Sequence, residues 1–461
     1  MLWHIIRKEI VSHMLSLRFA VAFILMILLV FLSFYVSVDE YERNTSDFNE
    51  RSRTHERDLK RILDQEDIRS SFRSVFDREG RYDAIPVSPL SWIGQGLQPS
   101  YPSSLNTRRR FYTRSYSVDT LRNPLRGFLR IPDFVYIVNV VLSFLGILFM
   151  FDSVCGEKET GTLRLVLSNP IPRHTLLLGK WIGGYVVLIT PLLLAAVGGL
   201  TYARWRGGAF STAQTGRVVA LIAVALLYAA VFFNIGLAVS AMTKRPPTAL
   251  LICLAIWVFG ILVVPNMAPV TAKILEPTPP LAAIQAEKRA VDREIRMQSR
   301  RLTLTSGELP YGKSVEDARE ELELEGARRK EQLDRYYKDS RKKQMNLAET
   351  FGRLSPSACW TYAALALAGT GPASYANLEE ARVALAAEFN RASQDIERDM
   401  RSQNSENAAQ IRFEDIPSLQ IRSASAAEAF TSSLNDVLIL LILCVVFFML
   451  AFTCFLKYDV R

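Results

Sequence analysis

Histidine and cysteine are scarce in this chain of 461 residues, which has four of the first and five of the second. His4, His13, His55 and His174 all lie outside the long apolar runs. There is no His-Glu-x-x-His pair, so an intramembrane zinc protease would lack its ligands. A serine protease working at depth would lack its base. Of Cys155, Cys253, Cys359, Cys444 and Cys454, only Cys359 falls in a polar stretch, which excludes a disulfide framework. A phosphate-binding loop is missing as well. Gly179–Lys180 is followed by Trp181 instead of Ser or Thr, and the earlier glycine position holds His174. The polypeptide is therefore not expected to hydrolyse ATP, and any work against a gradient must draw on another chain. The apolar runs have no Asp, Glu, Lys or Arg at their centres, where ion- and proton-coupled carriers place such groups. No internal repeat is present. The net charge of +9 comes without a basic module or an aromatic–basic repeat, so nucleic acid is not an expected partner.

What the chain does have is a set of six apolar stretches, each roughly 17–25 residues long, enough to cross ~30 Å of hydrocarbon as a helix. They delimit an all-α membrane protein of six transmembrane helices, over residues 19–38, 134–151, 181–202, 218–242, 248–264 and 437–456. Residues 1–18 precede the first span, with Leu2, Trp3, Ile6, Ile10 and Met14 on one helical face and Arg7, Lys8 and His13 elsewhere, as expected of a helix lying in the interface. No small-x-small site follows Val38, so the first span reads as an uncleaved anchor. Arg7, Lys8 and Arg18, then Lys158, Arg164, Arg173 and Lys180, then Lys244–Arg245, and finally Lys457 and Arg461 fall in short segments on one side. The positive-inside rule makes that side cytoplasmic, with both termini inside. Arg204 and Arg206, in the short third-to-fourth connection, run against it.

The charge is concentrated in two long insertions, 39–133 and 265–434, which then face outward together as a mainly helical extracytoplasmic domain. Residues 42–79 are helix-compatible, and the Pro86–Pro102 stretch reads as loop. Residues 281–301 and 315–352, inside a hairpin at 281–352, are expected to form two antiparallel helices broken by Gly307, Pro310 and Gly312, with Ser314 and Asp317 as a capping box. A further helix is expected from Asn377 to Arg401. The apolar residues 357–368 are too short to span and belong at the outer membrane surface or in the domain core. Asn139 and Asn234, the conspicuous polar residues at depth, suit hydrogen bonds between helices, and Gly236 with Ser240 is a small-xxx-small pair.

The most specific stretch is the cytoplasmic connection at 152–180, which reads Cys155-Gly-Glu-Lys-Glu-Thr-Gly-Thr-Leu-Arg and continues through Leu-Ser-Asn-Pro-Ile-Pro-Arg to Gly179–Lys180. It is a charged turn, a short amphipathic helix, a Pro-Ile-Pro break and a second short helix. Such an element can lie flat on a membrane and press on a soluble partner. Glu157 and Glu159 offer carboxylates to basic groups, Gly161 permits close approach, and Pro170 and Pro172 bend the chain.

This run resembles the membrane subunit of type-2 ATP-binding-cassette (ABC) exporters, whose pattern is Glu-x-Glu-x-Gly-Thr-Leu, then Leu-Ser-x-Pro-x-x-Arg, then Gly-Lys. Glu157, Glu159, Gly161, Thr162, Leu163, Leu167, Ser168, Pro170, Arg173, Gly179 and Lys180 occupy those positions. Lys8–Glu9 is similar to the family's N-terminal helix. Most members have short outer loops. The large insertions, residues 354–371 and the Pro265–Pro280 stretch make this chain similar to a subgroup related to permeases of gliding-motility and nitrous-oxide-reductase maturation operons.

The resemblance implies a non-catalytic permease in the bacterial cytoplasmic membrane, paired with a second permease subunit, identical or sister. ATP and Mg would be bound only by a cytoplasmic ATPase partner, so the chain itself holds no cofactor and no metal. Glu157, Glu159, Gly161, Thr162, Arg164, Pro170, Arg173, Gly179 and Lys180 would form its coupling helix. Export of a cargo is one expected outcome. Mechanical action on an extracytoplasmic partner, with nothing crossing the bilayer, is the other.

Overall fold

The computed structural model describes residues 2–64, 68–109, 111–116, 132–168, 172–206, 211–304, 315–402, 411–422 and 425–457. Pro170, Ser314 and the glycine and proline breakers at 307–312 lie outside these residues, so the expected Pro170 bend and the Ser314–Asp317 cap are not described. Six helices are long and apolar enough to cross a membrane, at Leu17–Leu63, Phe134–Glu159, Arg173–Trp205, Thr212–Met242, Pro246–Leu275 and Ala426–Leu456. The helical class read from hydropathy holds.

The chain divides into two compact units, Met1–Trp257 with Cys359–Arg461, and Val258–Ala358. In the first, α1 (Leu2–Met14) turns sharply into α2 (Leu17–Leu63), where the Ser16 hydroxyl accepts from Phe19 N at 3.2 Å and caps the new helix. At 47 residues α2 far outruns its apolar stretch and carries on into the first insertion, a length of about 70 Å at 1.5 Å per residue. There α3 (Ile68–Phe72) runs on into a π turn at Arg73–Arg78. The second span, α4 (residues 134–150), starts at Asp133, whose carboxylate accepts from Tyr136 N at 2.8 Å and from Gln95 N at 3.1 Å. A π turn at Val138–Leu142 interrupts it. Such a turn breaks the regular hydrogen-bond ladder, and here the Asn139 carbonyl receives the Tyr228 hydroxyl at 2.9 Å. The other spans of this unit are α7 (Arg173–Trp205), α8 (Thr212–Met242), the start of α9 (Pro246–Leu275) and α14 (Ala426–Leu456), with α5 (Cys155–Glu159) and α6 (Thr162–Leu167) between α4 and α7.

Contacts sort this unit into two ends. At one, Arg18 meets Asp152, Lys158 meets the last carbonyls of α8, Arg173 meets the last carbonyl of α14, and α1 lies along α7. At the other, Phe34 packs on Trp92 and Phe134, Arg206 pairs with Asp39 at 3.4 Å, and Trp360 stacks on Tyr228 while its Nε1 donates to Val135 O at 3.0 Å. Trp360 belongs to α12 (Pro356–Ala368), the apolar segment too short to span, which buries Cys359, Trp360, Ala363, Ala364 and Leu367. It is buried against the start of α4 and against α8.

Beyond that end α13 (Pro372–Ser402) packs on the extension of α2. Leu59, Phe72, Val75, Phe76, Phe389, Ile411 and Ile416 share one apolar core, and Arg109 pairs with Glu397 at 2.6 Å. This helix starts five residues before the Asn377 start expected, at a proline, whose missing N–H is harmless in a first turn. A three-stranded antiparallel sheet, absent from the sequence reading, forms from β1 (Arg81–Ala84), β2 (Ser104–Arg108) and β3 (Phe111–Tyr116). Arg81 lies opposite Thr107 and Ala84 opposite Ser104. The first strand is half-buried on both faces, so it shows no alternation by which a strand is recognised.

In the second unit, α10 (Leu281–Leu304) and α11 (Val315–Gly352) are the two expected antiparallel helices. Lys288–Asp334 at 2.5 Å and Lys330–Asp292 at 2.7 Å pair across them, and Ile295 seats over Gly326, where a Cβ would overlap it. Exposed pairs such as Arg329–Glu294 contribute only about 0–1 kcal/mol each.

Candidate coupling site

The connection between the second and third spans is an elbow of two short helices, both ahead of Pro172, and the separate short helix expected after the proline break is instead the first turns of α7, which runs unbroken from Arg173. Ser240, on the last turn of α8, accepts from the N–H groups of Val154 and Cys155 at 3.0 and 3.1 Å, anchoring the start of α5. Four residues earlier Gly236 faces Ile147 and Met150, where a Cβ would sit 3.1 Å from that of Met150. The small-xxx-small pair thus lets α8 approach α4 and then catches the elbow. Lys158 Nζ donates to the carbonyls of Ala241 and Thr243, the second at 3.1 Å. A cation at a helix C-terminus meets both the unpaired carbonyls and the negative end of the dipole.

Between the two helices Gly161 has φ +72°, the left-handed conformation. Among the described residues nothing lies within 4 Å of where its Cβ would be. Its part within the described residues is conformational, and the space beside it is open. After it Leu163 is fully buried, while Leu165 is 70% exposed. Glu159, Thr162 and Arg164 are exposed on the elbow.

Glu157 points the other way. Its Oε1 accepts from Lys180 Nζ at 2.8 Å, and the same ammonium donates to Glu9 Oε1 at 3.2 Å. Lys180 is only 4% exposed. Three charges from α1, α5 and α7 therefore meet in one buried hub. Beside them α1 lies in a groove cut by Gly179 and Gly183, where added Cβ atoms would be 2.5 Å from Ile5 Cγ2 and 2.8 Å from Glu9 Cβ. His13 lies 3.8 Å from Glu9, and burial lowers its pKa against the pull of that carboxylate. Ile6 is buried, whereas Trp3 and Met14, assigned to the same apolar face, are exposed. Arg173 donates to Leu456 O at 2.6 Å. Deeper in the bundle, Asn234 accepts from Trp181 at 2.5 Å and donates to Cys444 O at 3.0 Å, joining α7, α8 and α14.

The residues singled out from the motif thus separate. Glu157, Arg173, Gly179 and Lys180 face inward and tie helices together. Glu159, Gly161, Thr162 and Arg164 lie on the outer side of the elbow. The sequence reading had no role for Glu9, Lys158 or the Ser240 hydroxyl in this arrangement. Glu9 was within reach, since it is the sole acidic residue among residues 1–18 and Gly179 and Gly183 stand four apart on the helix that receives it. Among the described residues no cluster of His, Cys, Asp or Glu is placed to hold a metal ion.

Residues 3–460 match the family described as ABC-2 family transporter protein. A protein named probable ABC transporter permease protein NosY from Pseudomonas aeruginosa is 30% identical over 144 residues, 30% of this chain and 51% of the relative. One of the same name from Stutzerimonas stutzeri is 35% identical over 72 residues, 15% of this chain and 26% of the relative. The chain thus spans about half the length of the first and about a quarter of the second. With a match running almost end to end and six helices long and apolar enough to span, the chain belongs to the ABC-2 family of transporter proteins.

Proposed function

We propose that this chain is the permease subunit of an ABC transporter in the bacterial cytoplasmic membrane, driven by a separate cytoplasmic ATPase that binds ATP and Mg. The observation that carries this reading is the elbow. It presents Glu159, Thr162, Arg164 and Leu165 outward, while Lys158 and Ser240 bind its inner side to α8 and Glu157 binds it to Lys180 of α7. A push on the outer face is therefore delivered to several spans at once. The charge of the short connections orients the elbow and both termini toward the cytoplasm. Two permeases would pair, and ATP-driven closure would move the first, second and fifth spans to export a cargo. ATP can bias these states only as far as its complex binds one better than the other.

A second reading follows from α2. One unbroken helix joins the elbow end to the apolar core around Leu59, Phe76 and Phe389. Such a helix suits a lever that moves the polar insertions against an extracytoplasmic partner, with nothing transported. Cargo accumulating in vesicles would favour export; a copurified envelope protein with no cargo-stimulated ATP hydrolysis would favour the lever.

The elbow itself is tested by Leu165→Glu together with Glu159→Lys. Both side chains face outward, so insertion and thermal stability should be kept while the ATPase no longer copurifies. Normal copurification and normal turnover would sink the assignment.

A further inference from the structure

We propose that Lys180 makes α1 part of the coupling machinery, as an ionic hub through which displacement of the elbow is passed to an α1–α7 body. This rests on the reading of the elbow as the ATPase contact. The argument starts from the seam between α1 and α7. Gly179 and Gly183 bring the Ile5 side chain and Glu9 Cβ so close that an added methyl group would overlap them. Closely interdigitated surfaces do not slide smoothly past each other, so α1 and α7 move together or separate. Out of this seam comes one ammonium, Lys180, bonded to Glu9 within the body at 3.2 Å and to Glu157 on the elbow at 2.8 Å.

The next residue along the elbow makes the opposite connection. Lys158 holds the C-terminal carbonyls of α8. Residues 157 and 158 therefore form a fork, one prong on the α1–α7 body and the other on α8. Tilting so short a helix loads both prongs. Glu157 and Lys180 are positioning residues in this scheme; they touch neither nucleotide nor cargo.

The charge count in the hub provides a clean test. Two carboxylates surround one ammonium, so Glu157→Gln leaves the Lys180–Glu9 pair balanced and buried. That variant should insert, hold its thermal stability and copurify with the ATPase as the parent does, because Glu157 points away from the outer face. ATP hydrolysis by the reconstituted complex should fall about tenfold, the scale of a lost coupling contact. Separately, Ile5→Cys with Gly179→Cys, oxidised to tie α1 to α7, should leave hydrolysis within about twofold of the reduced form, as parts of a single body do not need to separate.

Unchanged hydrolysis in Glu157→Gln would overturn the proposal, and so would arrest of the cycle by the α1–α7 cross-link. Should the cysteine pair fail to fold, Glu9→Gln takes its place: it loosens the hub on the α1 side and should also lower hydrolysis without loss of the ATPase, and full hydrolysis in it would count against the hub. Failure of the underlying reading looks different, since it would show as an ATPase that still binds when Leu165 and Glu159 are both changed.

Discussion

The two ends of the first unit are built from different forces. At the elbow end the joints are polar and few: a buried ammonium between two carboxylates, a lysine on helix-terminal carbonyls, a serine hydroxyl on two backbone N–H groups. At the insertion end they are aromatic and continuous: Phe34 on Trp92 and Phe134, Tyr228 on Trp360, and α2 carried through without a break. Apolar burial is non-directional and cooperative, so that end behaves as one block. Hydrogen bonds and ion pairs are directional, and each can be made or broken on its own. A part that must change state while its support stays whole needs the first kind of joint where it moves and the second where it is held.

The contrast is sharpest at Trp360. Trp360→Ala would remove a fully buried indole packed between α12, Tyr228 of α8 and the start of α4, a loss of about 3–5 kcal/mol. The expected result is a large fall in the thermal unfolding midpoint; a shift no larger than that of a surface control would show that the insertion end is not a block. Lys180→Met is the elbow-end counterpart. It leaves Glu9 and Glu157 facing each other without their cation, an expected cost of about 3 kcal/mol. The same unfolding measurement should rank it below Trp360→Ala but well above Glu157→Gln. If both charge variants lose equal stability, the hub is not balanced as described.

Ser240→Ala strips the acceptor from the N–H groups of Val154 and Cys155 and should cost about 1–2 kcal/mol. Faster hydrogen exchange confined to residues around 154–160 would report it, while exchange at α12 stays unchanged. The smallest effect concerns pH. Burial lowers the His13 pKa below 6.5, more than Glu9 raises it. The unfolded chain then binds the proton more readily, so His13 adds its full stability above pH 6.5 and loses it as pH falls toward the folded-state value. His13→Gln should flatten the acid side of the stability profile; an identical slope in the variant would remove His13 from the account.

Much of this was legible beforehand because the physics involved is local. Span number and placement follow from run length, and Asn234 was identifiable as a helix-to-helix hydrogen bonder because a polar group in apolar surroundings needs a partner. The hairpin of α10 and α11 showed as two polar helices separated by glycines and proline. The sheet did not show, because Arg81–Ala84 carries an Arg–Asp pair at 3.1 Å where a strand would be expected to alternate. Glu157 was expected to meet basic groups, and its basic group is Lys180 of the same chain, 23 residues on. Nothing in the local pattern distinguishes a carboxylate turned inward from its neighbour Glu159 turned outward. That distinction depends on the angle at which α5 leaves α4, and Ser240 and Lys158 set that angle from α8.

By itself the sequence determined the solvent of each segment: which stretches require hydrocarbon, which require water, and that an exposed amphipathic turn separates the second and third spans. Hydrophobicity and chain length suffice for that, since each acts residue by residue. The tertiary structure alone decided which charges face one another. Glu9, Glu157 and Lys180 are far apart in the chain and become one buried group only because two glycines let α1 lie against α7, and Coulomb attraction counts distance in space, not along the chain.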